Sequence, residues 1–282
     1  MASPFARLTT LAIFGAMMGA APAHAQDTTP PLGSESGGTT PILTEDAPKS
    51  DLPTAEDLFE RHIAAAGGHD KIYAQKNRRI IGVFEGPPFK FPARLTTWLE
   101  APDKLRSHIA EPAGRSIDIG YDGKTAWRQM EDGPVVILDE SAAANLRDAA
   151  DFYGQANYKN RYMSIKTIGV GQLLGRSVYI VRAVWPSGVA EQVIFDRDSG
   201  YYVGVQYSIP TKEGSEVQIL TVVDAYEDFG GAKYPTKITQ MTPEGKVLAK
   251  YEYRNVRVDV DDGFDDYSPP ADAVKKTDAS GG

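Results

Sequence analysis

From residue 54 onward, apolar side chains recur first at helical and then at strand spacing. Ala55, Leu58, Phe59, His62, Ile63 and Ala66 fall on one face of a helix. Thr54, with Asp57 three residues on, reads as a capping box, and Gly67 and Gly68 end the helix. Beyond it the period drops to two. Strands are predicted over Arg78 to Glu85, Ala93 to Glu100, Lys104 to Ala110, Ser116 to Tyr121, Thr125 to Met130 and Val135 to Leu138. A second series runs over Tyr162 to Ile168, Arg176 to Trp185, Val189 to Phe195, Tyr201 to Ile209, Val217 to Tyr226, Pro235 to Met241 and Val247 to Val258. Asp122-Gly123, Ser199-Gly200 and Glu244-Gly245 mark tight hairpins. Between the two series, Ser141 to Tyr153 returns to helical spacing and Gly154 stops it.

Short connections of this kind join sequence neighbours, so the sheet is expected to be an antiparallel meander. A meander this long hides its apolar side either by stacking as two sheets or by curling. Ile80 and Phe84 alternate with Ile81 and Val83, and Tyr179, Val181 and Trp185 alternate with Val178, Ile180 and Val184, as in strands buried on both faces. Lys250, Glu252 and Arg254 against Ala249, Tyr251 and Tyr253 leave one face wet. The reading is a mainly β, strongly curved sheet with the two helices on its concave side, a shape that can enclose an apolar, ligand-sized hollow.

The ends of the chain differ from this body. Arg7, the apolar run Leu8 to Met18 and the triplet Ala23-His24-Ala25 read as a secretory signal over residues 1–25, cleaved after Ala25. The run is shorter than a membrane span needs. The expected compartment is the periplasm. Residues 26–53 are rich in Thr, Pro, Gly, Ser and acids and read as a disordered linker. The folded domain is expected over 54–268, followed by a disordered tail over 269–282.

Composition narrows the chemistry. The 282 residues contain no cysteine, which removes disulfides, thiolate nucleophiles and iron–sulfur clusters. A net charge of −8 without any basic run argues against nucleic acid as a partner. His62 and His69 straddle the glycine break, so they do not form a helical metal pair, and His62 reads as a helix-face residue near the core. The acids Asp259, Asp261, Asp262, Asp265 and Asp266 suggest calcium, but counting from Asp259 puts Gly263 at the fifth position where an EF-hand loop needs it at the sixth. They read instead as a solvated edge, and no metal or other cofactor is expected. No G-x-S-x-G elbow occurs in the folded region, and Gly169, Gly171 and Gly175 lie between strands rather than before a helix. A carboxylate pair for hydrolysis of envelope polysaccharide or lipid has no specific signature among 38 acidic residues.

The aromatic residues carry more information. Phe84, Trp98, Trp127, Tyr179, Trp185 and Phe195 fall in strands and either fill the core or line a ligand hollow. Phe89 and Phe91 sit between prolines in the loop from Gly86 to Pro92, and Leu173 and Leu174 sit in the loop from Gly171 to Gly175. Each loop either docks on a membrane or partner or folds back on the sheet.

The segment from Thr54 to about Tyr267 resembles the LolA/LolB-like family of outer membrane lipoprotein carriers and sorting proteins. The resemblance rests on Ile63 to Asp70 (IAAAGGHD), Tyr121-Asp122-Gly123 with Trp127, Phe195-Asp196, and Ser199-Gly200-Tyr201. It continues with Tyr226, Asp228, Phe229, Gly230, Gly231 and Pro235, and closes with Asn255, Asp262 and Phe264. It implies an unclosed antiparallel β-barrel whose concave apolar face, lidded by helices, accepts acyl chains. It also implies an early-strand arginine that holds the lid by hydrogen bonds, for which Arg78, Arg79, Arg94 and Arg106 are the possible counterparts. The lid would be the segment from Ser141 to Tyr153, with Leu146, Phe152 and Tyr153 facing the hollow. The lipidated cysteine of the anchored branch is not present. The expected protein is a monomeric, non-enzymatic carrier of a lipid or acylated protein. An envelope sensor or assembly factor that binds a membrane protein fits the same fold.

Overall fold

The computed structural model describes residues 52–112, 114–210 and 216–275, with the backbone alone at Ser141, Pro210 and Lys275. The signal segment and nearly all of the linker lie outside the described residues. Thr54 Oγ1 accepts the amide of Asp57 at 3.1 Å and opens helix α1, Ala55–Ala65. The amide of Gly68 closes it on the Ile63 carbonyl at 2.8 Å, and both glycines adopt positive φ (113° and 85°). The short helix α2, His69–Ala74, follows directly.

The first strand series is β1 (Asn77–Glu85), β2 (Ala93–Glu100), β3 (Lys104–Ala110), β4 (Ser116–Asp122), β5 (Ala126–Met130) and β6 (Val136–Ile137). Helices α3 (Glu140–Ala150) and α4 (Tyr158–Arg161) come next. The second series is β7 (Ser164–Leu173), β8 (Arg176–Val184), β9 (Ala190–Asp196), β10 (Tyr202–Pro210), β11 (Glu216–Phe229), β12 (Ala232–Met241) and β13 (Val247–Val258), and the chain ends on β14 (Val274–Lys275).

All belong to one unclosed sheet, ordered β14-β6-β5-β4-β3-β2-β1-β13-β12-β11-β10-β9-β8-β7. The single meander expected from the hairpins is therefore two meanders joined where β1 pairs antiparallel with β13. The pairs are antiparallel except β14 with β6. The tail is accordingly not free from residue 269, since the amide of Val274 donates to the Val135 carbonyl at 2.9 Å.

Strand alternation assigns the faces. Ile80, Phe84, Leu95, Leu99, Leu105, Ile109, Ile117 and Ile119 point to the side covered by α3, whose Ala143, Leu146, Ala149 and Ala150 join them in one core cluster. Helix α1 lays Leu58, Phe59 and Ile63 over Val181, Ala183, Val193 and Phe195 in a second cluster. A third cluster, with Val178, Ile180, Ile194, Leu220 and Val222, occupies the opposite face of the second meander. Strand β8 is thus buried on both sides as its pattern requires. Strand β1 is not, because Ile81 and Val83 are only half-buried on its outer face.

Curling is forced by what meets beneath the helices. Leu99 on β2 and Phe195 on β9 line one small cavity, although six strand spacings, about 29 Å in a flat sheet, separate their strands.

Candidate functional site: an aromatic cavity beneath the crossover helices

The cavity measures about 90 Å³. Phe59, Tyr158, Tyr162, Phe195, Tyr202, Tyr226 and Tyr234 form much of its wall, with Ala149 and Phe152 closing it from the α3 side. Its polar lining is His62, Arg78, Gln155, Arg161 and Asp151, the last being the one carboxylate among the lining residues. On the far side of residues 151–161 lies an open groove of about 470 Å³. It is walled by Ala144, Asp148, Tyr153, Asn160, Trp185 and Pro186 and shares Asp151 and Arg161 with the inner cavity.

The segment between the two spaces is tied down by side chains from α1, α2 and the residue after α2. Tyr153 donates to the Gln75 carbonyl at 3.0 Å, Tyr73 to Asn157 Oδ1 at 2.9 Å, and Tyr158 to Glu60 at 2.9 Å. Gln75 is itself fixed, its amide donating to the Phe229 carbonyl at 2.7 Å and accepting from Tyr234 at 2.9 Å. Phe59 stacks on Tyr158 with centroids 4.5 Å apart. These contacts fix the segment that separates the two spaces.

His62 is fully enclosed, and burial pulls its pKa down from 6.5 to about 4, so its ring is neutral. Its Nδ1 accepts the amide of Tyr202 at 3.2 Å, which leaves the proton on Nε2. Burial also pushes the hydroxyls of Tyr202 and Tyr226 well above the usual phenol value, and Tyr226 donates to the Tyr202 carbonyl at 2.7 Å. Asp148 is pushed up to about 6 by burial, against the pull of Arg161 and Arg147.

Of the six aromatics picked out for the hollow, Phe195 lines the inner cavity and Trp185 lines the groove. Phe84 is buried in the first core, against Phe89 and Tyr251. Tyr179 packs in the second core under Arg197. Trp98 and Trp127 do not face the cavity at all. One residue of register puts Leu99 on the helix side and Trp98 on the outer side, where it stacks on Phe264 at 4.4 Å. Trp127 lies over Gly120 on that same outer face, its Nε1 donating to the Tyr267 carbonyl at 2.9 Å. In the crossover, Phe152 lines the cavity, Tyr153 lines the groove and Leu146 is core.

The four arginines separate just as sharply. Arg79 pairs with Asp262 at 3.3 Å, and Arg106 pairs with Asp118 at 2.9 Å and Asp266 at 3.0 Å, both on the outer face. Arg94 is exposed there. Arg78 alone of the four is on the helix side, 6% exposed, with its guanidinium 3.5 Å from the Tyr234 ring centre and 4.7 Å from that of Phe152. Its contact with the lid is thus a stack on Phe152. The C-terminal acids are all exposed, as a solvated edge requires, and three of them also tie the segment down, Asp262 and Asp266 in these ion pairs and Asp259 accepting the amide of Lys76 at 2.7 Å. Among the described residues no group of three or more His, Cys, Asp or Glu is arranged to hold a metal ion.

In the loops, Phe89 and Leu173 are buried, whereas Phe91 and Leu174 are 57% and 45% exposed. The sequence does not mark His62, Tyr158, Tyr162, Tyr202, Tyr226, Tyr234, Gln155 or Arg161 as cavity residues, although Tyr226 is among the positions that carry the resemblance.

Several of the positions that carry the resemblance, Gly67, Gly231, Tyr201 and Tyr226, meet at the end of α1. Gly67 approaches Gly231 so closely that a Cβ would overlap its carbonyl, and the amide of Lys233 donates to the Ala66 carbonyl at 2.8 Å. Tyr201 donates to the Ala65 carbonyl at 2.9 Å and stacks on Tyr226. These residues are a docking platform for the helix.

No family model and no curated protein matches the sequence. Solved structures do resemble it in fold. A LolA superfamily protein from Nitrosomonas europaea superimposes with a TM-score of 0.50 at 13% identity, covering 74% of this chain and 95% of its own. A DUF1329 family protein from Desulfovibrio piger gives 0.48 at 13% identity over 73% and 93%. A putative outer membrane lipoprotein-sorting protein domain from Vibrio parahaemolyticus gives 0.44 at 10% identity over 74% and 95%. The curled, unclosed sheet with helices across one face is a LolA-like fold.

Proposed function

We propose that this chain is an exported, monomeric, non-enzymatic binding protein of the periplasm that carries a lipid, either the acyl chains of a lipoprotein or another acyl-bearing molecule. The observation that supports it is the aromatic cavity separated from an adjoining groove by one tethered segment, residues 151–161. At about 90 Å³ the closed cavity is below the 300 Å³ or so of a small-ligand site. Displacing the segment joins it to the groove of about 470 Å³. Each methylene then withdrawn from water contributes about 0.8 kcal/mol, so part of a chain supplies useful affinity without a charged contact. Phe152, Phe195, Tyr153 and Trp185 are the proposed chain contacts, and Arg78 the residue that holds Phe152 in the closed state.

Native mass spectrometry of protein purified from its own periplasm tests this reading. An adduct of lipid mass, with uptake of a fluorescent fatty acid by the stripped protein, is the expected result. A clean apo mass together with no uptake overturns it. The exposure of Phe91 supports a second reading, docking of a protein partner through that loop. Here Phe91→Ser abolishes partner binding and leaves lipid uptake intact.

A further inference from the structure

Resting on the acyl-binding reading above, we propose that the inner cavity is the site of an anionic head group. The ligand is then a single-chain amphiphile ending in a carboxylate, held head-inward on Arg78, with its chain running beneath α3 toward the groove.

Arg78 carries a charge that the surrounding side chains do not balance. Arg78 is almost completely buried, and among the described residues no carboxylate forms an ion pair with it. Its Nε and Nη2 are both buried without an acceptor. A guanidinium stays charged in a protein, and leaving two of its buried nitrogens without acceptors is unfavourable. The two unpartnered atoms form one edge of the guanidinium, the edge that takes both oxygens of a carboxylate in parallel hydrogen bonds. Tyr234 on one side and Phe152 on the other fix the plane of that fork.

The other unpartnered groups of the lining agree in sign. The Tyr202 hydroxyl and Gln155 Nε2 are buried without partners, and the His62 tautomer leaves Nε2 as a donor. The one lining carboxylate, Asp151, is already engaged by Asn157 Nδ2 at 2.9 Å and by Arg161 at 3.7 Å. With Arg78 Nε and Nη2 and Gln155 Nε2 all buried without an acceptor, unpartnered donors outnumber acceptors in the lining and favour an acceptor ligand. At about 90 Å³ it has room for a carboxylate and not for the chain behind it.

Calorimetry on the full chain, stripped of bound lipid, tests the assignment with palmitate, hexadecanol, methyl palmitate and acetate. Palmitate is expected to bind at least about ten-fold tighter than the alcohol or the ester, the scale of hydrogen bonds to a charged group. Arg78→Met is expected to bring palmitate down to the level of hexadecanol while hexadecanol binding is retained. Acetate tighter than palmitate would overturn the amphiphile and leave a small-anion site. Equal binding of palmitate and hexadecanol by the wild type would overturn the head-group site and leave the acyl carrier standing, whereas no binding of any long-chain probe overturns both. Unchanged selectivity in Arg78→Met overturns the role of Arg78. Should that variant fail to fold, Tyr202→Phe, which removes one donor and keeps the ring, decides: selectivity falls if the site is there and stays if it is not.

Discussion

His62 and Asp148 are both titratable groups of the cavity region, and their pKa shifts act on stability with opposite sign. The folded-state value of His62, about 4, lies below the unfolded value of 6.5, so the unfolded chain takes up the proton first and stability falls as pH drops through that window. Asp148, at about 6 when folded against 3.8 unfolded, takes up its proton first in the folded chain, so stability rises as pH drops. Between pH 7 and pH 5 the linkage relation gives a loss of about 2 kcal/mol from His62 and a gain of about 1 kcal/mol from Asp148. The wild type is therefore expected to lose about 1 kcal/mol or less over this range. His62→Gln removes the loss and should become about 1 kcal/mol more stable at pH 5 than at pH 7. Asp148→Asn removes the gain and should lose about 2 kcal/mol. Urea denaturation of the three proteins at the two pH values measures these differences without requiring equal stabilities at pH 7. If His62→Gln shows the same pH dependence as the wild type, the histidine is not held neutral in the cavity wall, and the donor assigned to its Nε2 goes with it.

Three further outcomes are expected. Ala149→Leu, projecting into the cavity wall from α3, should lower fatty-acid uptake at least about ten-fold while changing the urea-derived stability by no more than about 1–3 kcal/mol, because its added carbons enter existing space. Gly120→Val should destabilise by about 1–3 kcal/mol and redshift tryptophan emission, since a Cβ there overlaps the Trp127 ring and lifts it from Tyr267. Phe91→Ser should leave stability within about 0.5 kcal/mol, whereas Phe89→Ser, which empties a buried contact with Phe84, should lower it by about 3 kcal/mol or more in the same urea assay.

Much of the backbone was legible because period and turn chemistry act locally. The strands Ala93–Glu100, Lys104–Ala110 and Val247–Val258 fall where their alternation puts them. What locality does not carry is which face of a strand looks inward. Trp98 is larger and more aromatic than Leu99, yet the inner row of β2 is Ala93, Leu95, Thr97 and Leu99, and size alone misassigns the tryptophan. Trp127 fails for the same reason, with Gly120 opposite it as the local clue to an outward ring. The meander order failed where the decisive contact is the least local: β1 and β13 pair across most of the chain. The short helices α2 and α4 are too brief to show a period. The acids after β13 are solvated as read, but their arginine partners, on strands far earlier in the sequence, are not legible locally.

The same non-local pairing explains why the lid sits where it does. Joining β1 to β13 places β6 and β7 near opposite ends of the sheet, so the chain between them must cross the full width of one face. Helices α3 and α4 are that crossing. Their burial needs no special affinity for the sheet beyond an apolar stripe, because connectivity has already laid them over it. One consequence is mechanical. Each end of the crossing is fixed to a different end of an unclosed sheet, so a change in curl and a displacement of residues 151–161 draw on the same slack. The side chains that oppose both include Tyr153 on Gln75, Tyr73 on Asn157, Tyr158 on Glu60, and Phe152 on Arg78. The first three are hydrogen bonds to neutral or exposed partners, each contributing about 1 kcal/mol net. The fourth joins the lid to the buried guanidinium of Arg78 in the cavity wall. A ligand that satisfies Arg78 therefore acts on the contact that also holds the lid, and binding and opening are coupled through a single side chain.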